Sequence, residues 1–77
     1  MNIKILAFGQ IAELIGKSDW SVKEINNTDE LRQTLAEQFP NLIDINYSIA
    51  VNKKIIQINT PLCFDDTVAL LPQFSGG

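Results

Sequence analysis

The stretch that most restricts the fold runs from Asn27 to Pro40. Asn27 stands where an N-cap is needed and Glu30 follows three residues later, an approximate capping box, while Asp29 adds negative charge to the first turn. Leu31, Leu35 and Phe39 then recur at four-residue intervals with Ala36 beside them, which predicts one apolar face, and Pro40 closes the helix. A lone long helix with one apolar stripe needs a sheet to cover. Little else could hold such a chain together. Its 77 residues make one domain at most, and one cysteine with no histidine allows neither an internal disulfide nor a zinc site. A hydrophobic fraction of 45% leaves packing to carry the fold.

The flanking segments read as strands. Ile3 to Phe8 alternates, with Ile3, Ile5 and Ala7 on one face and Lys4, Leu6 and Phe8 on the other, and Gly9 ends it. Gln10 to Ile15 carries Ile11, Leu14 and Ile15 at helical spacing, and Gly16 is a natural stop. Asp19 to Ile25 reads as a second strand antiparallel to the first, with Trp20, Val22 and Lys23 near its turn-side edge. Beyond the helix, Asn41 to Asn46 has no clear period, and Leu42, Ile43 and Ile45 are expected to pack a loop onto the core. Ser48 to Asn52 is a strand, Asn52-Lys53-Lys54 a turn, and Ile55 to Ile58 the returning strand. Pro61 to Asp66 is loop with Asp65-Asp66 as turn residues, and Thr67 to Leu71 is the last strand.

The order β, β, long helix, β, β, β predicts an α+β, β-grasp (ubiquitin-like) fold. Its mixed five-stranded sheet would have the first and last strands parallel in the centre. The main helix would pack on one face, with a short helix after the first strand. Leu6, Phe8, Ile55, Ala69 and Leu71 would then point away from the helix as an uncovered apolar patch, the usual mark of a partner surface. A strand phase shifted by one residue would swap the faces.

Catalytic chemistry finds few residues. Without histidine, a triad or a histidine base is excluded. Cys63, between Leu62 and Phe64 with no charged activator nearby, reads as a buried, inert thiol. Asp65 and Asp66 read as solvated turn formers, Asn52-Lys53-Lys54 as a solvated hairpin, and Gly9 and Gly16 are too isolated for a phosphate loop. Six basic against nine acidic residues, a net charge of −3, argue against nucleic acid. No apolar run reaches the length of a membrane span, and Met1-Asn2-Ile3-Lys4-Ile5 is too short and polar for a signal peptide. The cysteine count suits a reduced, cytoplasmic setting.

There remains Pro72-Gln73-Phe74-Ser75-Gly76-Gly77. Alone it could be a frayed end. Equally, at roughly 3.3 Å per extended residue it reaches about 20 Å, and two glycines carry no side chain to obstruct a narrow channel. This divides the chain into a domain over 1–71 and a flexible tail over 72–77, expected to be mobile until bound. A carboxylate at Gly77 is a poor electrophile until another enzyme activates it, for example by adenylation. On that reading the protein is a carried substrate rather than a catalyst.

The chain resembles the molybdopterin synthase small subunits, a family of ubiquitin-like sulfur carriers, over its full length. The likeness lies in Phe8-Gly9-Gln10-Ile11-Ala12-Glu13-Leu14-Ile15-Gly16 after the opening strand, Leu31-Arg32 in the main helix and Ile49-Ala50-Val51-Asn52. It continues through Asp65-Asp66-Thr67-Val68-Ala69-Leu70-Leu71-Pro72 and ends in Ser75-Gly76-Gly77. Gln73-Phe74 departs from it, since the family commonly has a second proline and a valine there. The resemblance implies a cycle. A ubiquitin-activator-like adenylyltransferase uses ATP and Mg to adenylate Gly77, with Gly76 beside it, and a sulfur donor protein converts the acyl-adenylate to a thiocarboxylate. The tail then enters the large synthase subunit and supplies sulfur for the dithiolene made from cyclic pyranopterin monophosphate. It implies a heterotetramer of two small and two large subunits, with Phe8, Ile55 and Leu71 docking the large subunit and Pro72, Gln73, Phe74 and Ser75 continuing into it. No bound cofactor or metal is implied. Three other readings stay open. One is the sulfur carrier of thiamine biosynthesis, whose members are usually shorter and lack the helical insert spanning Gln10 to Ile15. Another is a protein modifier joined to lysines through Gly77, and the last is a plain binding module with a passive tail.

Overall fold

The computed structural model describes residues 2–72, apart from the side chain of Ile43. Its elements run β1 (Asn2–Ala7), α1 (Gly9–Ile15), β2 (Asp19–Lys23), α2 (Thr28–Gln38), a 3-10 helix (Pro40–Asp44), β3 (Tyr47–Val51), β4 (Lys54–Ile56) and β5 (Thr67–Pro72). The five strands form one sheet in the order β2-β1-β5-β3-β4. β1 and β5 are parallel, and every other pairing is antiparallel. This is the β-grasp arrangement expected from the element order.

The helix that organises the core starts as its sequence dictates. The Asn27 side chain accepts from the Glu30 backbone N–H at 2.9 Å, and Glu30 in turn accepts from the Asn27 amide and the Asn26 N–H, each at 3.2 Å. The orphan N–H of Glu30 is thereby satisfied, and the Glu30 carboxylate in return ties down the cap and the residue before it. Leu31 and Leu35 are wholly buried with Ile3, Ile5, Ile11, Ile49, Val68 and Leu70. Each such side chain contributes about 1.5–3 kcal/mol on leaving water. Ala36 is exposed, because one further residue turns it about 100° away from the Leu31–Leu35 stripe. Phe39 caps α2 and turns edge-on to Trp20 of β2, with ring centroids 5.7 Å apart, while the Lys17 ammonium lies 5.2 Å from the Trp20 ring and 5.5 Å from that of Phe39.

Pro40 ends α2, but it also opens the 3-10 helix, so most of the segment expected as loop is helical and buries Leu42 as anticipated. Proline at a first helical turn loses no hydrogen bond that the turn would have made. β2 stops at Lys23, yet Ile25 just beyond it still enters the core. The turn between β3 and β4 is Asn52-Lys53, both at positive φ (50° and 74°), and Val51 pairs with Lys54 across it. Two left-handed residues match the twist of the flanking strands, so the returning strand begins at Lys54 and ends at Ile56, leaving Ile58 exposed.

The strand phase resolves the question of faces. Ile3, Ile5 and Ala7 are buried beneath α2, while Leu6 is half-buried and Phe8 exposed on the other side. Among the described residues, no helix is long and apolar enough to cross a membrane.

Candidate functional site

Strand register builds the open face row by row. Leu6 pairs with Ala69, Ala69 with Ala50, and Ala50 with Ile55, so these four lie in one line across the sheet. The next row carries Phe8, whose N–H donates to the Leu70 carbonyl at 3.2 Å, then Leu71 and its register partner Ser48. Small side chains along the middle of β3 and β5 make a floor, and the larger Leu6, Phe8, Ile55 and Leu71 stand around it. The outcome is two apolar depressions that share Phe8. One, of about 400 Å³, is lined by Leu6, Phe8, Asn52, Lys53, Thr67 and Ala69. The other, of about 560 Å³, is lined by Phe8, Gly9, Ser48, Ile55, Leu71 and Pro72. Phe8 is 47% exposed and Ile55 61%, which leaves a large apolar area in water beside the end of β5.

Polar groups brace one end of this face. The Asn52 side chain accepts from the Thr67 N–H at 3.0 Å and donates to Asp66 at 2.8 Å; Asp66 also accepts from the Cys63 N–H at 2.7 Å. These bonds to the ionised carboxylate, the Cys63 N–H foremost and the Asn52 amide second, hold Asp66 below its ordinary pKa. Asp66 is therefore a clamp between the loop before β5 and the β3–β4 turn, where the sequence suggested only a solvated turn former. Cys63 requires a second correction, since its side chain is exposed. The loop gives its hydrogen bond and its inward-facing Leu62 to the fold while Cys63 and Phe64 face water. Flanking apolar residues misled the sequence reading because a loop has no fixed alternation.

On the opposite face, Tyr47 pairs in register with Pro72, and the Arg32 guanidinium sits 5.4 Å from its ring. Burial pushes the Tyr47 phenol up, and Arg32 opposes that shift. Among the described residues, no group of three or more His, Cys, Asp or Glu could hold a metal ion.

Of the residues singled out from the sequence, Phe8, Ile55, Leu71 and Pro72 converge on one depression. β5 includes Pro72, one residue beyond the expected strand end. Gln73, Phe74, Ser75, Gly76 and Gly77, and with them the expected tail, lie outside the described residues. Sequence reasoning missed Ser48 and Ala50, which the period of two would have assigned to the open face once Ile49 was placed in the core. It also missed Gly9 and Lys53, whose positions depend on how turns close, something periodicity does not encode.

The ThiS family model matches residues 5–77. The molybdopterin synthase sulfur carrier subunit of Escherichia coli (strain K12) is 34% identical over 80 residues, covering 97% of this chain and 99% of that protein. A solved protein–protein complex of subunits 1 and 2 of molybdopterin-converting factor from Helicobacter pylori 26695 contains a chain 30% identical, with a TM-score of 0.74 and complete coverage of both chains. The small archaeal modifier protein 1 from Methanosarcina acetivorans superposes with a TM-score of 0.82 at 18% identity, covering 99% of this chain and 96% of that one, a likeness of fold alone. A family match over residues 5–77, two relatives at or above 30% identity and a β-grasp sheet with one apolar face left open converge: the chain belongs to the ThiS family, and within it is similar to the sulfur carrier subunits of molybdopterin synthase.

Proposed function

We propose that this chain is the sulfur-carrying small subunit of a molybdopterin synthase and works in the cytoplasm. The observation that carries the reading is continuity: the depression formed by Phe8, Ile55 and Leu71 includes Pro72, so a partner seated on it lies against the strand that feeds residues 73–77. The family match running to residue 77 supports Gly77 as the carrying end. The relatives support the partner, since one is a sulfur carrier subunit and another belongs to a complex of subunits 1 and 2.

In the proposed cycle, a carboxylate oxygen of Gly77 attacks the α-phosphorus of Mg-bound ATP on a ubiquitin-activator-like adenylyltransferase, and pyrophosphate leaves. Sulfide delivered by a sulfur donor protein then attacks the acyl carbon, and AMP leaves, which gives a thiocarboxylate. Docked on the large subunit through Phe8, Ile55 and Leu71, the chain presents that sulfur to cyclic pyranopterin monophosphate, and hydrolysis returns the Gly77 carboxylate. The small subunit supplies no acid, base or metal to these steps. It contributes an address, the apolar face, and a reach, residues 72–77. Two small subunits on a large-subunit dimer complete the assembly.

The test is intact mass. Incubated with the adenylyltransferase, ATP, Mg and a sulfur source, the chain gains one oxygen-to-sulfur exchange located at Gly77. An unchanged mass under conditions that convert a known carrier refutes the proposal. Because a modifier shares the fold, the same reaction is inspected for adducts on lysines that persist in reducing gels; such adducts without a thiocarboxylate would favour conjugation. Capture of thiazole synthase rather than a synthase large subunit would instead place the carrier in the thiamine pathway.

A further inference from the structure

Pro72 is the last residue of β5, and its ring lies against Gly9 on one side of the strand. On the β3 side, Tyr47 stands opposite in register. On the β1 side lies Gly9, at φ +55°; a Cβ there would come within 3.2 Å of Pro72 Cγ and 4.0 Å of Pro72 Cδ. That position is tighter than ordinary carbon contact, and any other L-residue at positive φ is strained as well. Glycine at position 9 therefore does two things at once. It lets β1 turn straight into α1, and it opens the notch in which the pyrrolidine ring seats. Proline's own fixed φ removes one of the two backbone rotations at that seat.

We infer that Gly9 is a positioning residue for the carrier end: by admitting the Pro72 ring it sets the angle at which the polypeptide leaves β5. This rests on the reading that Gly77 carries the sulfur, but the geometric part does not need that chemistry. Gly9 itself touches no reacting atom. Its influence is on how often residues 73–77 set out toward the partner's site, and small misplacements at a reacting centre are costly in rate.

A double-mutant cycle with two readouts tests the inference. Gly9→Ala, Pro72→Ala and the double variant are made in a Cys63→Ser background. In one arm, spin labels at Gln33→Cys, on the exposed side of α2, and at Gln73→Cys report the distance distribution at the strand exit. In the other, the label-free proteins are assayed for sulfur transfer to the large subunit, with turnover at saturating carrier separated from the half-saturating concentration. Gly9→Ala is expected to shift the distance distribution or at least double its width, and to lower turnover about tenfold. In the Pro72→Ala background, which has no Cγ to collide with, Gly9→Ala should leave the position and width of the distribution unchanged and turnover within about twofold. Equal effects of Gly9→Ala in both backgrounds would mean that backbone strain alone is at work and would overturn the inference. So would an unchanged distribution, or a shifted distribution with undiminished turnover. A wild-type chain that never acquires sulfur refutes the proposed function instead, and the spin-label arm still decides whether the Gly9–Pro72 contact sets the exit.

Discussion

Phe8→Ala tests the proposed docking face. The ring stands between the two depressions and is 47% exposed in the free subunit. With about 200 Å² for a phenylalanine side chain, about 90 Å² of it remains for a partner to cover, and at ~25 cal/mol per Å² that is about 2 kcal/mol. Imperfect fit and the ordering of neighbours absorb part of this, which leaves about 1–2 kcal/mol, or a loss of between about fivefold and about thirtyfold in affinity. The measurement is calorimetric titration of the large subunit with wild type and Phe8→Ala, at a temperature where thermal unfolding confirms that both are folded. Phe64→Ala is the control. Phe64 is 62% exposed, more than Phe8, but it lines neither depression. If exposed apolar area alone governed docking, Phe64→Ala would cost at least as much as Phe8→Ala; if the open sheet face governs it, Phe64→Ala leaves affinity within about twofold. Equal losses for the two variants, or Phe8→Ala binding like wild type, would refute the assignment of this face.

Three further outcomes follow from the same geometry. Asn27→Ala removes the acceptor for the Glu30 N–H and should cost about 1 kcal/mol, read as a fall of about 4–8 °C in Tm for a domain of this size. The Asp66 carboxylate is held below its ordinary pKa by hydrogen bonds in the folded chain, so its stabilisation is complete above the unfolded value of about 3.9 and disappears as pH falls through the lower folded value. The gap in Tm between wild type and Asp66→Ala should accordingly hold steady from neutral pH to about 5 and close below about 4; a constant gap to the lowest pH would contradict that assignment. Deletion of Gly76 and Gly77 should abolish thiocarboxylate formation in the intact-mass assay while leaving calorimetric affinity for the large subunit within about threefold, because the apolar face is untouched.

The fold was legible where one residue's choice forces the next. Asn27 and Glu30 fixed the start of α2, the Leu31–Leu35 spacing fixed its buried side, and the alternation of Ile3, Ile5 and Ala7 fixed the side of the sheet that receives it. Given those three, parallel β1 and β5 in the middle of the sheet is the arrangement that buries the most apolar strands under one helix. Legibility failed where conformation depends on contacts distant in sequence. The 3-10 helix after Pro40 exists because Leu42 reaches the core, and no period over five residues announces it. Cys63 faces water because Asp66, three residues on, holds its backbone N–H while Leu62 takes the inward position. Hydrophobicity in a loop does not say which residue turns inward.

The candidate site follows a different logic from the core, and this decides how far sequence could reach it. Leu6, Phe8, Ile55 and Leu71 were identifiable because apolar residues placed at the period of two opposite a filled core have no burial available within the chain. What gives that surface its shape is the opposite kind of residue: Ser48 and Ala69 line it with small side chains, Ala50 lies between Ala69 and Ile55 in the same row, and Gly9 opens its edge by having no side chain. Small residues carry no hydropathy signal, so a sequence pattern reveals the walls of such a site and leaves its depth unread. The same reasoning explains why the fold cannot by itself separate a carrier from a modifier. The M. acetivorans modifier matches the same fold at 18% identity. On the proposed function, the distinction would lie in what becomes of the acyl group once it is activated, sulfide or lysine, and that choice would belong to the partner enzymes rather than to the fold.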